Sequence, residues 1–176
     1  MTTMRQSAAL VVLLASLGLV GGCDNKPQAE SGDTGCATLA ATVEVGTGND
    51  AFVSLAEGAD LPFYHGPQGG YHVYGSLTSA GFDPGDPLYP FDPANPRITF
   101  LLGSGDVVLA SFEDQPRALV PAGDGAELFG QVVVIGVDDP PSLDGTEATL
   151  AVTVVDRCGR EATDTRGVVL RLQPDA

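Results

Sequence analysis

The chain has 176 residues, of which 23 are acidic and 8 are basic, so its formal charge is −15. Nucleic-acid binding is excluded as a function, because contacts to phosphates need a basic surface. The 23 glycines and 13 prolines, together with the absence of tryptophan, favour a turn-rich β protein over a helical one.

The first segment of the chain has the pattern of an export signal. Arg5 is the only charged residue before residues 8–22, which read AALVVLLASLGLVGG. A helix of this length spans about 22 Å, which is shorter than the ~30 Å hydrocarbon core of a bilayer. A basic start, a short apolar run and small residues at its end are typical of a cleaved signal peptide. We therefore predict a signal peptide over residues 1–22.

The last residues of this segment indicate a particular kind of signal peptide. Val20, Gly21, Gly22 and Cys23 together resemble the bacterial lipobox. In that family the cysteine becomes the new N-terminus and is acylated on its sulfur and its amine, which anchors the protein to a membrane. The resemblance implies a lipid on Cys23, although an ordinary signal peptide with an incidental cysteine is the alternative. It also implies that the domain lies outside the cytoplasm. Residues 66–73, GPQGGYHV, resemble passages in lipoproteins of high-GC Gram-negative bacteria, so we expect the cell membrane or outer membrane of a Gram-negative bacterium.

The two remaining cysteines follow a polar stretch. Residues 23–35 are small, polar and free of aromatic side chains, which indicates a flexible tether. Once Cys23 is assigned to lipid, the oxidising compartment favours a disulfide between Cys36 and Cys158. Two unpaired thiols, buried or bound to a metal, are the alternative.

Residues 36–176 are predicted to form one all-β domain. Short runs rich in valine, threonine and aromatic residues are separated by clusters of glycine, proline and aspartate, and no run keeps a helical period. About eight strands at this spacing favour an immunoglobulin-like β-sandwich of about 7–9 strands. The predicted strands are residues 39–45, 51–55, 71–78, 98–102, 107–112, 128–135, 148–155 and 168–172.

One of these segments also carries a family resemblance. Residues 144–162 contain the pattern V-x-D-x-x-G-x-x-A and resemble the last hairpin of bacterial immunoglobulin-like and PKD-like domains. In such a sandwich the first strand begins, and the penultimate strand ends, at the same end of the domain. A bond between Cys36 and Cys158 then closes without distortion.

The most unusual stretch is residues 61–74, which hold both histidines and three of the four tyrosines. Strand alternation after the turn places Tyr71 on one face and His72 with Tyr74 on the other. If the hairpin folds back, His65 and His72 meet and bind copper or zinc together with a carboxylate. Structural polar residues beside a turn are the alternative, and a ligand patch of Tyr64, Tyr71 and Tyr74 is a third interpretation.

The remaining sequence motifs give only weak support for a catalytic or ligand-binding site. Residues 46–51 read GTGNDA and mimic a dinucleotide fingerprint, but strand-like residues follow where that site needs a helix, so we predict a turn. Aspartates in two proline-rich loops lack the spacing of a calcium loop and are expected to be turn residues. No hydrolase or phosphate-binding motif occurs, and we expect no cofactor.

The sequence therefore predicts a non-enzymatic, lipid-anchored protein of the cell envelope that binds a protein or glycan partner. The alternative is an envelope protein that binds a metal ion or a small ligand through His65 and His72. A hydrolase is the weakest hypothesis, because nothing places a serine beside either histidine.

Overall fold

The computed structural model describes residues 40–174, which all belong to one structural unit, Asp33–Ala176. The predicted signal peptide, the tether, Cys23 and Cys36 lie outside the described residues. Within the described part of the chain, no helix is long and apolar enough to span a membrane.

The described residues form ten strands and one short 3₁₀ helix, Pro140–Leu143. The prediction of an all-β domain is therefore confirmed. The strands are β1 (Thr42–Thr47), β2 (Val53–Ser54), β3 (Ala59–His65), β4 (Tyr71–Ala80), β5 (Arg97–Ser104), β6 (Val107–Pro116), β7 (Val120–Ala122), β8 (Gly125–Ile135), β9 (Glu147–Val155) and β10 (Glu161–Leu172).

Seven of these strands close into a barrel. Their order around the ring is β4, β3, β10, β9, β5, β6 and β8, and the pairing of β8 with β4 closes it. Strands β3 and β10 run parallel, whereas the other pairs are antiparallel. The three remaining strands extend the sheet: β1 pairs with the second half of β4, β2 pairs with β1, and β7 pairs with β8.

These pairings do not form the immunoglobulin-like sandwich that the sequence predicts. Strand β4 pairs along one edge with β8 over almost its whole length, and its other edge is shared by β3 and β1. Because β4 is paired along both of its edges, it joins the two sheets of the expected sandwich into one closed ring. A sandwich and a small barrel both alternate inward and outward residues along each strand, so the sequence pattern is the same for both.

The barrel interior is filled by the inward residues of its strands. Ala148, Leu150, Val152 and Val154 of β9 are buried, as their period-two pattern predicts. Gly75 of β4 makes room for the ring of Phe100, because a Cβ atom at Gly75 would lie 2.9 Å from Phe100 Cδ1. The close approach of β4 to a ring from β5 therefore depends on this glycine.

The sequence analysis did not predict two of the observed strands and the first half of a third. Strand β3 contains Pro62, which normally argues against a paired strand. Strand β7 has only three residues, and the first half of β10 carries alternating polar side chains that do not resemble a buried strand. The short 3₁₀ helix was also not predicted.

The barrel has two ends that differ in what they carry. Strand β1 begins and β9 ends at one of them, which we call the near end; it holds the β9–β10 turn and the loop of residues 81–96. The opposite end, which we call the far end, holds the β3–β4 turn and the β5–β6 turn. The described chain therefore starts at the end that carries Cys158.

Candidate functional site

The predicted aromatic and histidine segment forms the β3–β4 hairpin. Tyr64 lies opposite His72, and His65 lies opposite Tyr71. The turn is closed by hydrogen bonds in which the Gly66 amide donates to the Gly70 carbonyl at 2.9 Å and the Gly69 amide donates to the Gly66 carbonyl at 3.0 Å. The cross-strand register then determines which side chains share a face.

Three of the predicted residues come together on the outer face of the barrel. The ring centroids of Tyr64 and Tyr74 are 5.5 Å apart, and those of Tyr64 and His72 are 6.0 Å apart. The edge of one ring meets the face of the other between His72 and Tyr74, at 5.0 Å. Such tilted and edge-to-face arrangements are the favoured geometries for aromatic pairs. The cluster is therefore a packed unit and not a set of independent side chains.

His72 is held in this cluster without a full set of hydrogen bonds. Its Nε2 atom is buried and has no hydrogen-bond partner among the described residues. Burial lowers the pKa of His72 below its ordinary value of 6.5, because the charged imidazolium loses solvation. The imidazole is consequently neutral at physiological pH and acts as an aromatic surface.

Strand β8 extends the cluster with two exposed valines. Val134 lies opposite His72, and Val132 lies opposite Tyr74, so all of them face outward. Val132 is 42% exposed and Val134 is 58% exposed. We call this surface the outer-face patch; it consists of Tyr64, His72, Tyr74, Val132 and Val134.

The structure does not bring the two histidines together. Because neighbouring residues of a strand point to opposite faces, the register that pairs Tyr64 with His72 sends His65 to the other side. There the His65 and Tyr71 rings are tilted against each other with centroids 4.9 Å apart, and the Tyr71 ring centroid lies 6.1 Å from that of the buried Phe63. The expected meeting of His65 and His72 is therefore not observed, and Tyr71 is not part of the outer-face patch.

Metal binding finds no support in the arrangement of the described residues. Within residues 40–174, no group of three or more histidine, cysteine, aspartate or glutamate side chains is placed to hold a metal ion. The loop aspartates instead act as turn residues: the Asp83, Asp86 and Asp92 carboxylates each accept a hydrogen bond from the backbone amide two residues later. Such local bonds are the ordinary reason why aspartate favours turns.

The predicted dinucleotide mimic is also a turn. Strand β1 ends at Thr47 and β2 begins at Val53, so residues 48–52 connect two strands and no helix follows the glycines. A pyrophosphate site of that type needs the N-terminus of a helix immediately after the glycines. The turn interpretation is confirmed.

The V-x-D-x-x-G-x-x-A motif forms the turn between β9 and β10. Asp156 is buried, and its carboxylate accepts hydrogen bonds from the amides of Cys158 at 2.9 Å and Arg160 at 3.0 Å. The Arg160 guanidinium donates to the same carboxylate at 2.8 Å. Burial by itself raises the pKa of Asp156, but these hydrogen bonds and a longer one from the Asp83 amide outweigh it and leave the pKa below its ordinary value.

Cys158 lies in this turn and is disulfide-bonded. The other half of the bond lies outside the described residues. Pairing with Cys36 therefore stays a prediction, although the position of Cys158 at the near end, where the described chain starts, agrees with it.

The valines of the outer-face patch were missed by the sequence analysis. Residues 132–135 read VVVI, an uninterrupted apolar run within a strand that was predicted correctly. In a strand with one face in the core, an uninterrupted run means that the other face is apolar too. This run is the signal from which the exposed valines could have been predicted.

The patch is a surface and is separate from the groove that the structure shows on β5, β9 and β10. A groove of about 600 Å³ has a lining that includes Glu57, Ser104, Glu147 and Thr149, and it contains none of the patch residues. Comparisons with protein families, with curated proteins and with solved structures find no match to this chain. The function has to be argued from the geometry of the chain itself.

Proposed function

We propose that this protein is a non-enzymatic, lipid-anchored binding protein of the cell envelope, which holds a protein partner through the outer-face patch. The observation that carries the proposal is the packed Tyr64–His72–Tyr74 cluster beside the exposed Val132 and Val134. Apolar and aromatic side chains on three adjacent strands leave a continuous area of contact to which water binds poorly.

The shape and chemistry of the patch favour a protein over a small ligand. Small molecules are usually held in concave sites that enclose most of their surface. The outer face of a sheet instead offers an area of contact, and tyrosine is among the residues enriched at the centre of protein interfaces. Because Tyr64 and Tyr74 already pack against His72, less side-chain entropy is lost when a partner docks.

The negative charge of the chain indicates which kind of protein partner is favoured. The chain carries a formal charge of −15, so an acidic partner would be repelled during its approach. A partner with an apolar contact surface and a basic rim fits both features. Opposite charges around an apolar centre raise the rate of association more than the affinity.

The anchor is the second part of the proposal, and it is supported by the lipobox-like residues that end at Cys23. A Gram-negative cell membrane or outer membrane then holds the lipid, with the domain outside the cytoplasm. Pairing of Cys36 with Cys158 belongs to the same proposal, since it leaves Cys23 as the cysteine available for acylation.

A photoreactive amino acid at position 134, introduced into the full chain in its native membranes, tests the binding function. We expect a protease-sensitive adduct of defined size that is lost when Tyr64 and Tyr74 are both changed to serine. The matched control is the same photoreactive residue at position 101, where Leu101 is also exposed, at 38%, but lies on β5, which pairs with none of the three patch strands.

Three results would count against this function: no adduct at position 134, the same adduct at both positions, or an adduct that persists without the two tyrosines. An adduct at position 134 that resists protease but is removed by glycosidases would replace the protein partner with a glycan.

A further inference from the structure

A second apolar surface lies at the near end of the barrel, on the loop of residues 81–96 that connects β4 to β5. Leu88 is 82% exposed, Tyr89 is 65% exposed and Phe91 is 66% exposed. Three large apolar side chains within four residues are unusual on a solvated loop. We call Leu88, Tyr89 and Phe91 the loop tip.

The loop is held in one conformation by hydrogen bonds from within. The buried Asn95 donates from Nδ2 to the Tyr89 carbonyl at 2.8 Å, and its Oδ1 atom accepts a bond from the Asp86 amide at 2.8 Å. Successive turns follow, in which the Tyr89, Asp92 and Asn95 amides each donate to a carbonyl three residues earlier. The loop tip is therefore presented by an ordered scaffold.

The loop is also fixed to its neighbours, both at Phe91 and at its base. The guanidinium of Arg117 lies over the Phe91 ring at 4.8 Å and over the Phe112 ring at 4.6 Å. The Leu119 amide donates to the Pro84 carbonyl at 2.8 Å. These contacts orient the loop tip relative to the barrel.

The described chain begins beside this loop. Strand β1 starts at Thr42, opposite Ala80 at the end of β4. Gly81, the first residue of the loop, has φ +77° and touches the backbone of Ala40, whose carbonyl oxygen would lie 2.6 Å from a Cβ atom there. The segment that follows Cys23 therefore joins the domain at the foot of this loop.

The length of this segment limits how far the domain stands from its anchor. Seventeen peptide units separate Cys23 from Ala40, and a chain of that length with the flexibility that the sequence predicts has a root-mean-square reach of about 23 Å. The chain that leads from Cys23 thus enters the barrel at its near end, the end that carries the loop tip.

We propose that the loop tip inserts into the headgroup region of the bilayer that holds the anchor, so that the domain has a fixed orientation on the membrane. This inference rests on the lipid anchor of the proposed function. Tyrosine is favoured at the membrane–water interface, and leucine and phenylalanine gain free energy by leaving water there. One lipid signal and a second apolar contact together hold a domain at a surface more firmly than either does alone.

The charge of the loop selects the kind of lipid. Asp83, Asp86 and Asp92 surround the loop tip, and the chain as a whole is strongly acidic. Anionic headgroups would be repelled, so the fitting surface is zwitterionic. Insertion is expected to weaken as the fraction of anionic lipid rises and to recover at high salt.

The absence of tryptophan from the chain makes the test direct. Leu88→Trp places a single reporter on the loop tip, and Val107→Trp places a matched reporter at the far end. Each lipidated full-length variant is reconstituted into phosphatidylcholine vesicles with and without brominated acyl chains. We expect a blue-shifted emission and bromine quenching for Leu88→Trp, and neither effect for Val107→Trp.

Each other result overturns the proposal in a recognisable way. If both variants float with the vesicles and neither is quenched, the anchor stands but the loop tip does not insert. If neither variant floats, the anchor and the insertion fail together. If Leu88→Trp shifts to the blue with rising protein concentration and no vesicles, the loop tip contacts a second copy of the chain and not lipid.

Discussion

Two hairpins of the same barrel use their polar side chains in opposite ways. In the β9–β10 turn, the buried Asp156 carboxylate has an ion-pair partner and several backbone donors. In the β3–β4 hairpin, the buried Nε2 atom of His72 has no partner among the described residues, and its neighbours are aromatic. The buried polar group of the first hairpin therefore has its hydrogen bonds made, whereas that of the second does not.

The difference separates a structural element from a candidate binding surface. A buried polar group whose hydrogen bonds are all made contributes to the stability and uniqueness of the fold. A half-exposed aromatic cluster beside exposed valines has contact area that the barrel itself does not use. Stability should therefore depend mainly on the β9–β10 turn, and binding mainly on the β3–β4 hairpin.

The largest loss of stability is expected when the disulfide of Cys158 is removed. If Cys158 pairs with Cys36, then Cys158→Ser and Cys36→Ser each remove the same cross-link. Each variant should lose up to about 4–5 kcal/mol, because a long closed loop restricts the unfolded chain. Urea denaturation of the oxidised full-length protein measures this loss.

Reduction of the wild-type protein is the control and should bring its urea midpoint to that of both variants. A normal midpoint for Cys36→Ser together with a lowered one for Cys158→Ser would show that Cys158 is bonded to a different cysteine.

The next largest effect is expected for Asp156→Ala. The change removes the buried carboxylate that pairs with the Arg160 guanidinium and accepts hydrogen bonds from two backbone amides, and breaking a buried pair of this kind costs about 3–5 kcal/mol. Asp60→Ala is the matched control, because it breaks an ion pair with Arg171 that is exposed and costs within about 1 kcal/mol. Equal shifts of the two urea midpoints would remove the structural role that we assign to Asp156.

A smaller effect is expected within the aromatic cluster. A double-mutant cycle of Tyr64→Ala and Tyr74→Ala should give a coupling free energy of about 0.5–1.5 kcal/mol, since their rings are in contact. The same cycle with Tyr64→Ala and Tyr89→Ala should be additive within about 0.5 kcal/mol, because Tyr89 lies on the near-end loop. Additivity in the first cycle would show that the rings do not form a packed patch.

These comparisons also show why one hairpin was readable from the sequence and the other was not. The alternation of Leu150, Val152 and Val154, together with Asp156 and Gly159, predicts a strand and the turn that follows it from local chemistry alone. Such signals lie within a few residues of one another. Nothing beyond the immediate neighbourhood has to be known.

The β3–β4 hairpin depends on a register that the sequence does not specify. A turn of five residues pairs His65 with Tyr71, whereas a turn one residue longer would pair it with His72. A shift of one residue exchanges the two faces of a strand, so the expected pair of histidines was as plausible as the observed one. Closure of the barrel could not be predicted for the same reason, because it depends on which strand edges pair and not on the amino-acid composition of the strands.

The smallest effect is expected from the titration of His72. Burial holds its folded-state pKa below the value of 6.5 that it has in an unfolded chain. Between these two values the unfolded chain binds a proton that the folded protein does not, so the free energy of unfolding falls as the pH drops through this window. Above pH 6.5 the residue is neutral in both states and contributes no pH dependence.

His72→Phe keeps an aromatic ring in the cluster and removes the titration. Urea midpoints measured between about pH 8 and pH 5 should fall more steeply below pH 6.5 for the wild type than for His72→Phe, and the two curves should be parallel above it. The carboxylates are common to both proteins, so they cancel in this difference. Curves that stay parallel throughout would show that His72 is solvated, and the outer-face patch would then lack the neutral imidazole that packs its two tyrosines together.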